Sequence, residues 1–277
     1  MLIDSHHHLW RYSADEYPWI DDQMIALRQD FWHAELNEIA DQHGVDGFVT
    51  VQARQSIAET EGLLQLADAQ AKIKGVVGWV DFRSASVGDQ LDRFAAHPKL
   101  KGLRHVVQDE PDDEFILGSE FNRGIGTLAS RGLVYDVLIF ARQLRPTIKF
   151  VSAHPDVPMV LDHIAKPVID GNTVDLQWRR GIEQLAEMPN LACKFSGLAT
   201  EVVGDTWDIE TIRPYWDIVL DAFSPDRLMF GSDWPVCLQR TEYGHWLDTV
   251  RQLADPLSTA EQANLFYATA KRVYDLE

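Results

Sequence analysis

The chain has only two cysteines among its 277 residues, Cys193 and Cys237, and neither stands in a CxxC spacing. That excludes a disulfide framework and a thiolate metal cage, and it fits a reducing compartment. No GxGxxG or P-loop follows an apolar run, so the usual cradles for dinucleotide and nucleotide phosphates are missing. Positive charge is scarce. The 25 Lys and Arg against 43 Asp and Glu leave a formal charge of −18, a field that repels nucleic-acid backbones and anionic membranes. No apolar run approaches the roughly 20 residues of a membrane span, and Met1-Leu2-Ile3-Asp4-Ser5-His6 lacks the basic start of an export signal. The expectation is a soluble cytoplasmic protein that engages neither nucleic acid nor membrane; homo-oligomerisation is left open.

With 45% apolar residues the chain can bury a sizeable core. Short β-rich apolar runs recur at Leu2 to His8, Gly47 to Gln52, Val76 to Asp81, Gly102 to Val107, Leu133 to Ile139, Met159 to Ile164, Leu191 to Phe195 and Leu228 to Ser232. Between them lie segments with apolar residues three and four apart, such as Ser56 to Lys72, Gly88 to His97, Gly118 to Arg131, Gln177 to Met188 and Thr211 to Phe223. Eight βα units in a chain slightly longer than the roughly 250 residues typical of the fold predict an α/β protein, a (β/α)₈ TIM barrel. No linker or low-complexity tract divides it, so residues 1–277 read as one domain. The aromatic and acidic stretch from Leu9 to Asp30 is long for a connection and is expected to fold over one mouth of the barrel.

In such a barrel the chemistry sits at the C-terminal ends of the strands. The first run ends Asp4-Ser5-His6-His7-His8, and residues two apart share a face, so His6 and His8 can converge. A tag remnant or a solvated terminus is the bland alternative. His163 falls at the end of the sixth run, and Asp233 follows the eighth directly after Gly231-Ser232; for Asp233 a helix cap is the alternative. Arg54, Trp79, Arg104, His105, Lys166, Lys194 and Trp234 also fall at strand ends, where they can bind the oxygens or the C–H face of a polar substrate. Salt bridges with Asp81 or Asp136, and core packing of Trp10, Trp79 and Trp234, compete with that reading. Asp4 is placed to orient one imidazole.

The motifs IDSHHHLW, VQARQ, GLRHVVQDE, YDVLIF, LDHIAKP, CKFSGL and LMFGSDWPVCL, in order at successive strand ends, resemble the sugar-lactonase branch of the amidohydrolase superfamily. The resemblance implies a metal-dependent-hydrolase type of barrel that opens a neutral aldonolactone, such as an L-fucono- or L-rhamnono-lactone, to the sugar acid. Binuclear members of that superfamily carry a lysine on the fourth strand and a histidine on the fifth, where this chain has Gly102-Leu103-Arg104-His105 and Val134-Tyr135-Asp136. A two-metal site is therefore unsupported. His6, His8, His163 and Asp233 can hold one divalent ion such as Zn²⁺, and metal-free members of the branch leave the alternative of no cofactor. In either case Asp233 is the expected base toward water, with His163, His6 and His8 about the carbonyl. A metal-dependent decarboxylase of the same superfamily, and a catalytically silent sugar-acid-binding barrel, are the competing readings.

Overall fold

The computed structural model describes residues 1–171 and 173–277. Eight parallel strands run in sequence order around one sheet: β1 (Ile3–His7), β2 (Gly47–Val51), β3 (Ile73–Gly78), β4 (Leu100–Val106), β5 (Val134–Leu138), β6 (Met159–Leu161), β7 (Leu191–Phe195) and β8 (Leu228–Phe230). The sheet is drawn together at β1 and β8, where Asp233 N donates to His6 O at 2.8 Å and His8 N donates to Trp234 O at 2.7 Å. Asp4 stitches the same seam, its Oδ1 accepting from the backbone N–H of Ser232 and of His6. It holds backbone rather than an imidazole, which corrects the expectation from sequence.

Helices α1 (His33–His43), α2 (Ile57–Ala69), α3 (Val87–Phe94), α4 (Ser119–Gly126), α5 (Leu144–Ala153), α6 (Leu176–Ala186), α7 (Ile209–Phe223) and α8 (Tyr243–Ala254) alternate with the strands, and α9 (Thr259–Ala263) and α10 (Thr269–Val273) follow β8. Local signals place their ends. Asp208 and Thr211 cap α7 reciprocally, and Gly44 closes α1 in the left-handed conformation that costs a glycine nothing. The third strand ends three residues earlier than its apolar run predicts, which puts Trp79 and Asp81 in the loop beyond it. No helix is long and apolar enough to cross a membrane among the described residues.

Inside the barrel the side chains form layers. Ile3, Val49, Val77, Val134, Val160, Ala192 and Met229 make an apolar floor, sealed from below by Ala270, Tyr274 and Leu276. Two residues further along three adjacent strands, on the same inward face, stand Asp136, Asp162 and Lys194, all fully buried. Above them lies the mouth. The pairing of β1 with β2 slips between Asp4 and His7, and this irregularity lets Ile3 and His6, an odd number of residues apart, both face inward.

Candidate active site

The mouth of the barrel carries a carboxylate ringed by imidazoles. Asp233 Oδ1 lies 3.4 Å from His8 Nε2, 3.7 Å from His6 Nε2 and 3.9 Å from His163 Nε2, and the two β1 nitrogens are 3.2 Å apart. All four residues are buried. Backbone conformation aims them. Asp233 takes φ +59°, and His163 to Lys166 form a left-handed turn with φ between 45° and 61°, a region that non-glycine residues enter at a cost and that clusters at functional sites. Gly197 explains how the two meet: at φ +70° it brings its backbone so close that an added Cβ would lie 2.7 Å from His163 Nδ1 and 2.9 Å from Asp233 Oδ2. No signal in the sequence beyond the glycine after Ser196 marked that contact.

The surroundings decide protonation. Burial pushes the Asp233 carboxyl up, but His163, the contact with His8 and the charge of His6 and His8 outweigh it and hold it below the usual carboxylate range. Burial lowers His163 to about 4, against the pull of Asp233 and Asp162. His6 is also held well below its ordinary value, by burial first and by Lys194, with Asp162 opposing. A charged carboxylate beside the neutral rings of His163 and His6 results. Ser196 Oγ lies 2.9 Å from His163 Nδ1 and His8 Nδ1 lies 2.9 Å from the Val51 carbonyl, so the outer nitrogen of each ring is engaged.

Beneath the ring, Arg104 Nη1 donates to Asp162 Oδ2 at 3.1 Å and lies 3.3 Å from His6 Nε2. Lys194 Nζ donates to Asp136 Oδ2 at 2.5 Å and lies 3.0 Å from Asp162 Oδ1. Burial would raise the Asp162 carboxyl; Lys194, His6 and Arg104 together hold it well below the usual range. Asp136 is pushed up to about 6 by burial, with Lys194 opposing and Asp162 adding to the rise.

A cavity of about 580 Å³ opens above this cluster, within the range of small-ligand sites. Of the residues singled out from sequence, His8, Arg54, Arg104, His163, Lys166 and Asp233 line it, and His6 stands directly behind His8. Lys194 is brought to the cluster but not to the cavity: it has no exposed side-chain surface. His105 follows the inward Arg104 on the strand and therefore faces outward, where it pairs with Glu110 at 2.7 Å, stacks on Phe115 and accepts from Trp79 Nε1 at 3.4 Å. Trp234 packs edge-on against Phe31, and Trp10 is enclosed by Tyr17, Trp19 and Phe31. The aromatic side chain at the cavity is instead Trp19, delivered with Asp15, Glu16 and Pro18 by the segment between Leu9 and Asp30. Each cation at the cavity has an acid of its own: Arg54 binds Glu16 at 2.7 Å, Lys166 lies 3.3 Å from Glu201, and Arg104 has Asp162.

A single divalent ion fits the donor set. The atoms of His6, His8 and Asp233 are 3.2, 3.4 and 3.7 Å apart, close to the roughly 3.4 Å edge of a tetrahedron with ligands about 2.1 Å from its centre. The Arg104 guanidinium beside them adds a fixed positive charge that opposes such an ion.

A family model described as amidohydrolase matches residues 3–276. The chain belongs to the amidohydrolase family. Among curated amidohydrolase relatives, an L-fucono-1,5-lactonase of Burkholderia multivorans is 39% identical, covering 100% of this chain and 96% of its own. A second L-fucono-1,5-lactonase, of Burkholderia ambifaria, is 32% identical over 99% of this chain and 96% of its own. The crystal structure of a Burkholderia multivorans amidohydrolase with bound zinc superposes with a TM-score of 0.96 at 39% identity, covering all of both chains.

Proposed function

We propose that this amidohydrolase opens a neutral sugar lactone of the L-fucono-1,5-lactone type to the sugar acid, with L-rhamnono-lactone as the next member of that substrate class. The observation that carries the reading is the Asp233 carboxylate, ionised and facing three imidazoles, at the floor of a cavity whose cations are already paired with the protein's own acids. In such a cavity each cation is already neutralised by an acid of the protein, so a carboxylate on the substrate gains little there, and a polyhydroxy ring needs none. Trp19 supplies an apolar wall for its C–H face. The full-length likeness to two fuconolactonases supports the same substrate class.

The reaction needs an activated water, a place for the oxyanion and a proton for the leaving alkoxide. Asp233 accepts a proton as the water oxygen bonds to the lactone carbonyl carbon. The carbonyl oxygen, now negative, is met by His163 from one side and by the Arg104 guanidinium, which lines the same cavity. As the tetrahedral centre collapses, the ring C–O bond breaks and Asp233 returns the proton to the departing oxygen. A divalent ion held by His6, His8 and Asp233 would supply Lewis-acid polarisation of the carbonyl and acidify a bound water.

The test is pH-indicator hydrolysis of a panel of aldonolactones, uronolactones and aromatic acids, with enzyme as purified and again after exhaustive chelation and metal assay. Turnover confined to neutral aldonolactones is expected. Decarboxylation of an aromatic acid, or ligand binding without turnover of any lactone, overturns the reading; the chelated sample reports which of the two routes operates.

A further inference from the structure

Residues 11–30 leave the barrel after β1 and return before α1. The excursion is closed at its base, where Trp10 and Phe31 exchange backbone hydrogen bonds of 2.9 Å each way, and it is seated by the buried side chains of Ile20 and Leu27. Its stretch from Asp15 to Trp19 walls the cavity. Two successive turns shape that stretch: Tyr17 N donates to Ser13 O at 3.0 Å and Ile20 N donates to Tyr17 O at 3.0 Å, so Glu16 and Trp19 stand on either side of a shared Tyr17. The Trp19 ring meets Trp10 edge-on, but its Nε1 has no hydrogen-bond partner among the described residues. The place of the indole therefore depends on the stretch that carries it.

One side chain of the barrel reaches this stretch with charge. Arg54 stands in the turn after β2, and its root is fixed: Glu59 Oε2, on α2, accepts from the backbone N–H of Ala53 and of Arg54 at 3.1 and 2.8 Å. From there Arg54 Nη1 meets Glu16 Oε1 at 2.7 Å, and the guanidinium carbon lies 5.2 Å from the centre of the Tyr17 ring. Among the described residues this is the one ion pair that joins residues 11–30 to the rest of the protein. Arg54 Nε, 3.7 Å from Glu59 Oε1, makes no aligned hydrogen bond, so the guanidinium is committed to Glu16.

We infer that Arg54 is a positioning residue: rooted on the barrel by Glu59, it clamps residues 15–19 through Glu16 and the Tyr17 ring, so setting the place of Trp19, and it makes no bond to the substrate itself. The inference deepens the lactone reading, on which the part of Trp19 as a wall for the sugar ring rests, whereas the clamp itself is read without substrate. Asp233 and His163 are carried by other strands. Loosening the wall therefore weakens the binding of ground state and transition state alike, and KM rises while kcat is kept.

The experiment is a double-mutant cycle of Arg54→Met and Glu16→Ala, repeated on a Trp19→Ala background and read in two ways. Hydrogen exchange of the ligand-free protein, followed by mass spectrometry, should be faster in residues 11–30 of each variant than in wild type and unchanged in α5. On the lactone that the wild type turns over, each variant should raise KM about three- to tenfold, the worth of a partly exposed ion pair with a cation–π contact, and keep kcat within about twofold. The double variant should be no worse than Arg54→Met alone, and neither change should matter once Trp19 is alanine. Unchanged exchange in residues 11–30 overturns the clamp. Effects that add in the double variant, or that persist without Trp19, place Arg54 on the substrate and overturn the inference, as does a loss of kcat. If no lactone is turned over, it is the lactone reading that fails, and exchange alone decides the clamp. Glu16 is exposed, so Glu16→Ala carries both readouts alone if Arg54→Met does not fold.

Discussion

Arg104 and Asp162 pair at 3.1 Å with side chains no more than 4% exposed. Taking two charges out of water costs several kcal/mol each, and the cost is met only while both partners are present. Asp162 also faces Lys194 and His6, so Asp162→Asn leaves two buried cations with too little negative charge. It should destabilise the fold by about 3–5 kcal/mol, a fall in Tm on the order of 10 °C. Calorimetry of the variant checks this, and a Tm within a degree of wild type would show that the cations find another partner.

Asp233→Asn keeps the shape of the side chain and removes the proton acceptor. Loss of a general base lowers kcat by roughly 10²- to 10⁴-fold. A near-normal rate on the preferred lactone, with the fold verified by circular dichroism, would remove Asp233 from the role of base.

Gly197→Ala tests the close approach at the site. The new methyl meets His163 Nδ1 and Asp233 Oδ2 below 3.0 Å and must also adopt φ +70°, which costs an L residue about 1–2 kcal/mol. Displacing a reacting group by about 1 Å costs on the order of 10²-fold in rate. The expected result is a modest loss of stability and a large loss of kcat/KM, measured together; wild-type kinetics would mean that the two side chains are not held where the glycine places them.

Glu59 gives a pH dependence. Its Oε2 accepts from the backbone N–H of Ala53 and Arg54 in a buried setting, and burial, only partly offset by those bonds and by Arg54, raises its pKa from 4.5 to about 7. Between those values the folded chain binds a proton that the unfolded chain has released, so the contribution is present below 4.5 and is lost as pH rises through 7. Glu59→Gln can still accept both bonds but does not titrate. Relative to wild type it should gain up to about 3 kcal/mol between pH 4.5 and 8. Denaturant unfolding at three pH values reads this, and a constant difference would place the Glu59 pKa near its ordinary value.

The barrel was legible because apolar runs and amphipathic segments alternate eight times, and that arrangement is what the chain adopts. The convergence of His6, His8, His163 and Asp233 was legible because polar residues at the ends of buried strands are costly without a task. Side-chain direction was the harder part. His105 was expected in the mouth beside Arg104, although neighbours on a strand face opposite ways and only one of them can point inward. Lys194 was expected to meet substrate, but its layer in the barrel depends on which residues of β5 and β6 lie beside it, and register is not written in any one strand. Trp10 and Trp234 were drawn toward the core by aromatic neighbours in the segment before α1, while Trp19, within a stretch without periodicity, became the wall of the cavity.

The seam between β1 and β8 has a consequence for the order of events in the life of the molecule. His6 and His8 leave the ribosome more than two hundred residues before Asp233. A growing chain carries two imidazoles with nothing to act on until its last strand arrives and docks beside its first. Contacts of such sequence separation form late and slowly, so the recovery of turnover after dilution from denaturant reports ring closure itself, and should lag behind the return of helical signal.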